Sequence, residues 1–320
     1  MSTTIQLALA VGAPTGPALV SLADAVVIAA VAEELGVAAI RLADGSADDG
    51  ATGRTLDPTV VGAYLAGLHS GIGYVADVPT SHNAPYNAAR RVLSLDRATG
   101  GRAGVALRAG GGDEVSEATA PDPGASDPVR RWREYAHVLT RLWESFPRTA
   151  LIGDQEAGIV VRDSQIKPIG HEGAFYRVAG PLDGPSSVQG RPVVVADLGV
   201  LDATAVAESA DVVVVDRERA AGADAALAKA LRGAGRSRED VALLGRVEAA
   251  LDDPADLLAW AAEHRLDGFE LVLTGGAAAA LTTLRALVPR LTAVGSAHPT
   301  SAHSTLRSAL GLPELAAVAA

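Results

Sequence analysis

The 320-residue sequence predicts a (β/α)8 TIM barrel, and two features of its pattern support that prediction. Short runs of β-branched and other apolar residues alternate eight times with longer runs rich in alanine and leucine. The short runs are apolar throughout, which is typical of parallel strands covered on both faces. This alternation favours a closed barrel over an open doubly wound sheet, but the open sheet stays an alternative because periodicity does not report closure. We treat residues 1–320 as one domain, since α/β barrels commonly use roughly 200–250 residues or more as a single unit.

The predicted strands are short, and each is followed by a segment long enough for a helix. They are Ile5–Val11, Ala38–Leu42, Ile72–Ala76, Ala103–Leu107, Pro192–Ala196, Val212–Val215, Val241–Val247 and Phe269–Leu273. The predicted helices have the amphipathic pattern of a helix that packs on a sheet. They are Ala18–Leu35, Pro58–Leu68, Tyr86–Asp96, Val129–Ser145, Ala203–Ser209, Ala221–Arg232, Pro254–His264 and Ala277–Leu287.

Three segments depart from this alternation. Ala109–Asp127 contains GGG, PDPG and several acidic residues, which predicts a mobile loop. Residues 159–182 contain two alternating runs, IVVRDSQIKPI and GAFYRVAGPL, with HEG between them, which predicts an inserted β-hairpin. Residues 290–320 form a C-terminal tail that begins rich in serine, threonine and histidine.

Composition excludes several functional classes. The chain has 27 basic and 38 acidic residues, so its net charge of −11 disfavours nucleic acid and anionic membranes as partners. It has no cysteine, which excludes disulfides, thiolate nucleophiles and Cys-ligated metals. The first residues lack a cationic region of the kind that begins a signal peptide, and we expect a soluble cytoplasmic protein.

Polar residues follow several predicted strands, at the end of a barrel where chemistry takes place. They are Asp44, Asp77, Arg108, Asp197, Asp216 and Thr274. A carboxylate in such a place serves as a ligand acceptor or a general base. Aspartate is also common in turns after strands, so each of these residues has a structural interpretation as well.

The segment from Pro79 to Asp96 has the densest cluster of polar residues. Thr80, Ser81, His82, Asn83 and Tyr86 come directly after the third predicted strand and could line a polar pocket. The same residues are typical of a helix start, with Ser81 or Asn83 as the cap.

Other active-site patterns are missing or weak. No HxH or HExxH spacing is present, so we do not expect a metal, and no GxSxG elbow points to a serine hydrolase. The glycines of Gly100–Gly112 do not have the strand, turn and helix order of a dinucleotide site. The TGG at Thr274–Gly276 is interpreted as a phosphate-binding helix start or, with more weight, as a simple turn.

Four segments resemble the bacterial-luciferase-like flavin-dependent monooxygenases, in particular the nitrilotriacetate and dibenzothiophene-sulfone monooxygenase group. They are APYNAARRVLSLDRATGGR (84–102), LWESF (142–146), HEGAFYRVAGPL with VQGRPVVV (171–182 and 188–195), and LVPRL with STLRSALGLPE (287–291 and 304–314). Their order and spacing are similar to the family pattern across most of the chain.

The resemblance implies a TIM barrel whose chemistry is oxygen activation on reduced FMN. It also implies a separate flavin reductase that supplies the reduced flavin, a small organic substrate, and pairing of the barrels as a homodimer. The protein would bind the flavin, exclude water and place the substrate, which requires no redox-active side chain.

Carried over residue by residue, the resemblance implies seven cofactor-binding positions. They are Asp44, Asp77, Thr80, Ser81, Ala106, Leu198 and Gly199. Several of them depart from the family pattern: Asp77 stands where the family has threonine, and Val105 and Ala106 replace a Trp-Asn pair.

The segment after the fifth predicted strand departs furthest. The family has QAGxSxxG there, and its serine and backbone amides hold the flavin phosphate at a helix start. This chain has VADLGVLD (195–202), so Asp197 and Asp202 lie near the expected phosphate position and the serine is absent. A carboxylate about 4 Å from a phosphate charge is repulsive by about 4 kcal/mol at an effective dielectric constant near 20.

Three hypotheses therefore stay open. The chain is a flavin-dependent monooxygenase that acts on a small organic substrate; or it is a degenerate barrel that has lost FMN binding and serves as a non-catalytic binding or assembly partner, for example of an active paralogue; or it uses another cofactor such as a deazaflavin.

Overall fold

Eight parallel strands form the centre of the fold. The computed structural model describes residues 3–13, 19–45, 55–110, 126–248, 253–292 and 305–315. The strands are β1 (Thr4–Val11), β2 (Ala39–Leu42), β3 (Gly73–Pro79), β4 (Ala103–Arg108), β5 (Val193–Asp197), β6 (Val212–Asp216), β7 (Ala242–Glu248) and β8 (Gly268–Val272). All eight predicted strands are present, and the largest difference is at the end of β3, which extends past Ala76 to Pro79.

The sheet is closed because β1 pairs with a strand on each side. Leu7 lies opposite Ile40 of β2 and opposite Leu271 of β8. The strand order follows the chain from β1 to β8 and returns to β1. The predicted barrel is therefore confirmed, and the open-sheet alternative is wrong.

A helix follows each strand in the chain. The helices are α1 (Leu22–Glu34), α2 (Pro58–Leu68), α3 (Pro85–Ala98), α4 (Pro128–Glu144), α5 (Ala203–Val206), α6 (Ala223–Gly233), α7 (Pro254–His264) and α8 (Gly276–Thr292). The largest correction is at α8, which continues five residues past the predicted Leu287 to Thr292. Helix α1 begins at Leu22, after the predicted Ala18, and α5 ends at Val206, before the predicted Ser209. Within the described ranges, no helix combines the length and the apolar character needed to cross a membrane.

An aspartate followed by proline begins three of these helices. Asp57, Asp127 and Asp253 each accept hydrogen bonds from backbone N–H groups in the first turn of α2, α4 and α7. Proline at the first helical position has no N–H to leave unsatisfied, so the Asp-Pro pair is a strong start signal. The start of α3 is different: its N-cap is Ala84 and no side chain caps it, so the predicted cap at Ser81 or Asn83 is wrong. Asn83 instead donates to the carbonyl oxygens of Pro79 and Ser81.

Two apolar clusters fill the molecule. The larger lies between the strands and the helices, and the smaller lies inside the barrel. The end of the barrel where the strands begin is filled by a short helix, α9 (Leu306–Ala309), whose Leu306 belongs to the inner cluster with Leu310 and Leu312. Gly73 leaves room for this helix, because a Cβ at this position would lie 2.6 Å from Leu306 Cδ1 and that side chain would have to move. Part of the predicted tail therefore packs into the barrel.

The insertion between α4 and β5 contains two small hairpins where one was predicted. Leu151–Asp154 pairs with Ile159–Val161, and His171–Glu172 pairs with Arg177–Val178. The strand that begins at Ile159 therefore pairs with the preceding strand, Leu151–Asp154, and not with the following strand at His171. The DQEAG turn to the preceding strand is the shorter of the two connections, so closing it costs less entropy. The predicted loop over residues 109–127 lies mostly outside the described residues.

Candidate active site

A ring of charged side chains lies inside the barrel near the carboxyl ends of the strands. Because side chains alternate along a strand, every second residue of each strand points into the barrel. One layer consists of small or apolar residues, such as Val75, Val195 and Val214. The layer two residues further along is charged in seven of the eight strands and consists of Arg41, Asp77, Arg108, Asp197, Asp216, Arg246 and Glu270. We call these seven residues the charged ring.

Arg41 links three strands of the ring from the inside. Its guanidinium donates to Asp77 at 2.7 Å and to both carboxylate oxygens of Asp197 at 2.7 and 2.8 Å. It also lies 3.3 Å from Glu270, which accepts a further hydrogen bond from Gln6 at 2.6 Å. Arg41 is 5% exposed, so these charges compensate one another in a region from which water is largely excluded.

Arg246 completes the ring on the opposite side. It donates to Asp197 at 2.5 Å, to Glu270 at 2.9 Å and to Asp216 at 3.0 Å. Arg108 joins less tightly, with its guanidinium 4.0 Å from Asp77. The ring therefore holds three cations and four anions, and most of its charge is compensated internally.

These contacts shift the protonation of the ring. Burial opposes the charge of Asp197, but Arg41 and Arg246 outweigh it and hold its pKa well below the ordinary value. Burial raises the pKa of Asp77, and the Arg41 guanidinium offsets part of that rise. Burial likewise opposes the charge of Arg41, but Asp197, Asp77 and Glu270 together raise its pKa. Asp197 and Arg41 are therefore held in their charged forms.

Four of the seven implied cofactor-binding residues lie at the mouth of the barrel near β2 and β3. Asp44 follows β2, and its backbone carbonyl accepts a hydrogen bond from Arg108 at 2.6 Å. Asp77 belongs to the charged ring, and Thr80 and Ser81 follow β3 and are buried. The Thr80 hydroxyl is fully buried and has no hydrogen-bond partner among the described residues. A Cβ at Gly110 would lie 2.6 Å from Ser81 Oγ, so the chain after β4 passes directly beside Ser81.

The other three implied residues do not join this group. Ala106 lies one layer below the charged ring, inside the barrel and 1% exposed. Leu198 and Gly199 follow β5, where the N–H of Leu198 donates to Val214 O and the N–H of Gly199 donates to Leu201 O. Gly199 is exposed at the surface. The mouth near β2 and β3 and the end of β5 are linked through Arg41, which donates to both Asp77 and Asp197.

The residues at the start of α5 do not fit a flavin phosphate. Asp202 is the N-cap of α5, and its carboxylate accepts the N–H of Ala205 at 2.8 Å. One amide of the first turn is therefore already bound to a carboxylate, which would also repel a phosphate. Arg219 lies beside this segment and donates to the carbonyl oxygen of Gly199 at 3.1 Å. Asp197 does not contribute to this repulsion as the sequence suggested, because it turns into the barrel and pairs with Arg41 and Arg246.

Two further polar residues lie away from the charged ring. Thr274 is exposed just before α8, and Gly275 before the helix and Gly276 at its first position have φ of +82° and +80°. His171 lies 3.1 Å from Glu134 at the second hairpin, away from the charged ring. Among the described residues, no group of three His, Asp or Glu side chains is placed to hold a metal ion.

Sequence reasoning missed Arg41, Arg246 and Glu270. All three stand inside apolar runs that were assigned to strands, and attention went to the polar residues after the strands. A charged residue at an inward position of a strand is itself a signal, because a buried charge requires a partner. Inward-facing positions are two residues apart along a strand. Counting in twos from an apolar residue that faces the barrel interior leads to each of these three charged residues.

Comparisons with known proteins agree with this architecture. A subunit of pristinamycin IIA synthase from Streptomyces pristinaespiralis is 31% identical over 281 residues, which are 88% of this chain and 86% of that protein. Nitrilotriacetate monooxygenase component A of Aminobacter aminovorans is 35% identical over 144 residues, which are 44% of this chain and 32% of that protein. The aligned part is thus only about a third of the length of the nitrilotriacetate relative.

The fold is also found among solved structures. EDTA monooxygenase from Chelativorans sp. BNC1 superimposes with a TM-score of 0.78 at 20% identity, over 98% of this chain and 99% of that one. At this identity the likeness shows the fold alone. The family model described as luciferase-like monooxygenase matches residues 1–303. The chain therefore belongs to the luciferase-like monooxygenase family.

Proposed function

We propose that this chain is the non-catalytic subunit of a luciferase-like flavin monooxygenase, in which a second barrel of the same family carries the reduced flavin. The observation that carries the proposal is the start of α5, where Asp202 caps the helix and takes the Ala205 amide. Asp202 holds one amide of the first turn and would repel the phosphate of FMN, so in this proposal the barrel lacks the affinity that a flavin enzyme needs. The exposed Arg219, whose guanidinium donates to the carbonyl oxygen of Gly199 at 3.1 Å, is the cation beside this segment. In this proposal a flavin reductase supplies the flavin to the second barrel.

The charged ring supports the same conclusion. Arg41 and Arg246 satisfy Asp197 and Glu270 in a closed set of ion pairs inside the mouth of the barrel. Recruiting either guanidinium to a ligand would leave a carboxylate buried without its partner, which costs several kcal/mol. Arg41 and Arg246 are therefore not free to bind an anionic cofactor, whereas Arg108, whose side chain is 34% exposed and lies 4.0 Å from Asp77, is held less tightly.

An apolar stripe on α2 supports an assembly role. The stripe consists of four apolar residues spaced four positions apart, which places them on one side of the helix: Leu56, Val60, Tyr64 and Leu68. Leu56 comes just before the N-cap Asp57, and the other three belong to α2. The exposed fractions of the four are 46%, 66%, 50% and 54%. A continuous row of large exposed apolar side chains is typical of a protein interface. We propose that the second barrel binds to this stripe. When this chain is purified alone, a second copy of it would bind there instead.

The relatives support a two-subunit arrangement. The relative that this chain covers almost from end to end is named as one subunit of a synthase. The nitrilotriacetate relative, named as component A of a monooxygenase, aligns over 32% of its length. A role as one of two subunits agrees with both observations.

The proposal predicts that the purified chain does not bind flavin. Calorimetric titration with FMN, and anaerobic titration with reduced FMN, should show no binding at concentrations up to about 1 mM, which corresponds to an affinity weaker than about −4 kcal/mol. The control is D202G, which frees the α5 amides and should give measurable, if weak, binding. Micromolar binding of FMN by the wild-type chain would contradict the proposal.

The interface has its own test. V60E places a charge in the α2 stripe and should convert a dimer of the purified chain to a monomer in sedimentation velocity. Val200 is 65% exposed and Val60 66%, so V200E is a matched control and should leave the dimer intact. A dimer that survives V60E would show that the stripe is not the interface.

One observation favours the alternative, that this chain is itself a flavin-dependent monooxygenase. Thr80 lies at the mouth with a buried hydroxyl that has no partner among the described residues. A buried hydroxyl without a partner costs about 1–3 kcal/mol, which a ligand would offset. In that case reduced FMN supplied by a reductase should bind, and T80V should weaken the binding about tenfold.

A further inference from the structure

The first hairpin extends from the barrel with both of its faces uncovered. It pairs Leu151–Asp154 with Ile159–Val161, and among the described strands these two pair only with each other. Every residue from 151 to 160 is exposed. Four large apolar side chains are among them, with exposed fractions between 39% and 66%: Leu151, Ile152, Ile159 and Val160. We call residues 151–161 the arm.

The apolar side chains of the arm lie on both of its faces. Leu151 stands opposite Val161, so these two share one face. Consecutive side chains of a strand point to opposite faces, which places Ile152 on the other face. A two-stranded hairpin by itself is at best marginally stable in water, and it needs a further strand or a helix packed against it. The exposure of residues 151–160 shows that the described part of this chain does not supply that cover.

The α2 stripe is the other large apolar surface exposed by the chain. The described residues include twelve large apolar side chains that are exposed, and four belong to the arm and four to the α2 stripe. The remaining four are spread singly over the rest of the chain: Val27, Val188, Val200 and Leu315.

The arm and the α2 stripe match in length. The helical part of the stripe, from Val60 to Leu68, is about 12 Å long at a rise of about 1.5 Å per residue. The strand Leu151–Asp154 is about 13 Å long at about 3.3 Å per residue. A helix of this length, laid on one face of the arm, is the kind of cover that a two-stranded hairpin needs.

The charges beside the two surfaces are opposite in sign. The turn of the arm carries Asp154 and Glu156, which are both exposed. Helix α3 exposes Arg90 and Arg91, and Arg91 lies 3.1 Å from Asp57, the cap of α2, so these arginines lie beside the α2 stripe. An acidic turn therefore meets a basic border when the arm lies along the stripe.

We infer that the arm of one copy of this chain packs on the α2 stripe of a second copy, and that the arm of the second copy packs on the stripe of the first. A contact between two different surfaces occurs twice in a two-fold dimer, so this exchange covers both apolar surfaces of each chain. The inference rests on the proposed role of the stripe as an interface, and it names the element that covers the stripe.

Cross-linking tests the contact directly, because the chain has no cysteine of its own. V60C and V160C are made in separate chains with tags of different mass, mixed, and treated with a short bismaleimide. We expect the V60C–V160C product to exceed the V60C–V60C product about tenfold, since only the first pair lies across the contact. V200C is the matched control, because Val60, Val160 and Val200 are 66%, 66% and 65% exposed, and it should give little product with V60C. An excess of V60C–V60C product means that α2 packs on α2, which overturns the inference.

Charge variants separate this inference from the proposed function. V60K and V160E, each alone, should be monomers in sedimentation velocity with the thermal unfolding of the wild type. An equimolar mixture of the two should dimerise, because one of its two contacts is unaltered and the other pairs the new lysine with the new glutamate. A mixture that stays monomeric overturns the inference. If V160E stays a dimer and V60K does not, the inference is wrong and the stripe is still an interface; a monomeric wild-type chain overturns both.

Discussion

At the scale of single residues, Asp96 shows how a family motif acts. It lies in the segment SLDRATGG, is fully buried, and its Oδ1 accepts the N–H of Ala103 at 2.9 Å and the amide of Gln189 at 2.6 Å. It thereby joins the end of α3 to the start of β4 and to the segment before β5. Burial raises the pKa of Asp96 to about 7, and the hydrogen bonds that it accepts offset only part of that rise.

This pKa predicts how stability depends on pH. In the unfolded chain Asp96 ionises near its ordinary value of about 3.9, and in the folded chain near 7. Between these values the folded state binds more protons, so this residue makes the free energy of unfolding decrease as pH rises. The loss is at most about 4 kcal/mol over three pH units at about 1.36 kcal/mol per unit. Urea unfolding of the wild type and D96N from pH 4.5 to 8 should show a flatter profile for D96N; parallel profiles would contradict this.

At the scale of elements, the second hairpin depends on one side chain of α4. Two two-residue strands, His171–Glu172 and Arg177–Val178, cannot hold a hairpin by their own pairing. Glu134 supplies what the hairpin lacks, because its carboxylate satisfies three consecutive N–H groups of the turn and contacts His171. The conformation of this element is therefore set by a residue about 40 positions earlier in the chain.

Replacing Glu134 should loosen that hairpin while the barrel stays folded. In E134Q the side chain keeps one acceptor oxygen and loses its charge, and charge-assisted hydrogen bonds contribute about 1.5–3 kcal/mol. We expect amide hydrogen exchange of residues 174–176 to become about ten- to a hundredfold faster, with little change in the amides of β1–β8. E263Q, at an exposed position on α7, is the control and should leave exchange at these residues unchanged.

At the scale of the whole molecule, the charged ring fixes how the strands meet inside the barrel. Its ion pairs cross the barrel, since Arg41 of β2 reaches Asp197 of β5 and Glu270 of β8. Buried ion pairs add little net stability compared with apolar packing, but removing one partner leaves a buried charge uncompensated. We therefore expect a single substitution in the ring to lower the free energy of unfolding more when the replaced residue is more deeply buried.

Two members of the ring make a direct comparison. The Glu270 side chain is 1% exposed and the Asp216 side chain 39%, and both contact Arg246. E270Q should lower the free energy of unfolding by about 3–5 kcal/mol, the usual cost of breaking a buried pair. D216N should cost at most about 1 kcal/mol, as for an exposed pair. Chemical denaturation measures both, and equal losses would show that burial does not control the contribution of the ring.

Much of the fold was predictable because it depends on local pattern. The eight strands and their helices were assigned from apolar runs, and the helices predicted to begin at Pro58 and Pro254 do begin there, each after an aspartate cap. The insertion was assigned less well. Its strands are two to four residues long, and the choice of partner depends on contacts such as that of Glu134, which periodicity does not report.

The candidate site was only partly predictable. Thr80, Ser81, Asp44 and Asp77 were singled out because they follow strands, and the structure brings them to one side of the mouth. The direction of Asp197 was not predictable, because a carboxylate after a strand can face a ligand or the barrel interior. Its direction is set by Arg41 and Arg246, which are about 156 and 49 residues away in the chain.

The order of the barrel strands and helices follows from the spacing of apolar residues along the chain, which is why it could be predicted. Closure of the sheet, the meeting of seven charges inside it, and the bond from the Ala205 amide to Asp202 depend on residues that are distant in sequence or on a local conformation that the sequence pattern does not report. The physical reason is that a charge inside the barrel is stable only beside its partner, and closing the ring of strands is what brings those partners together.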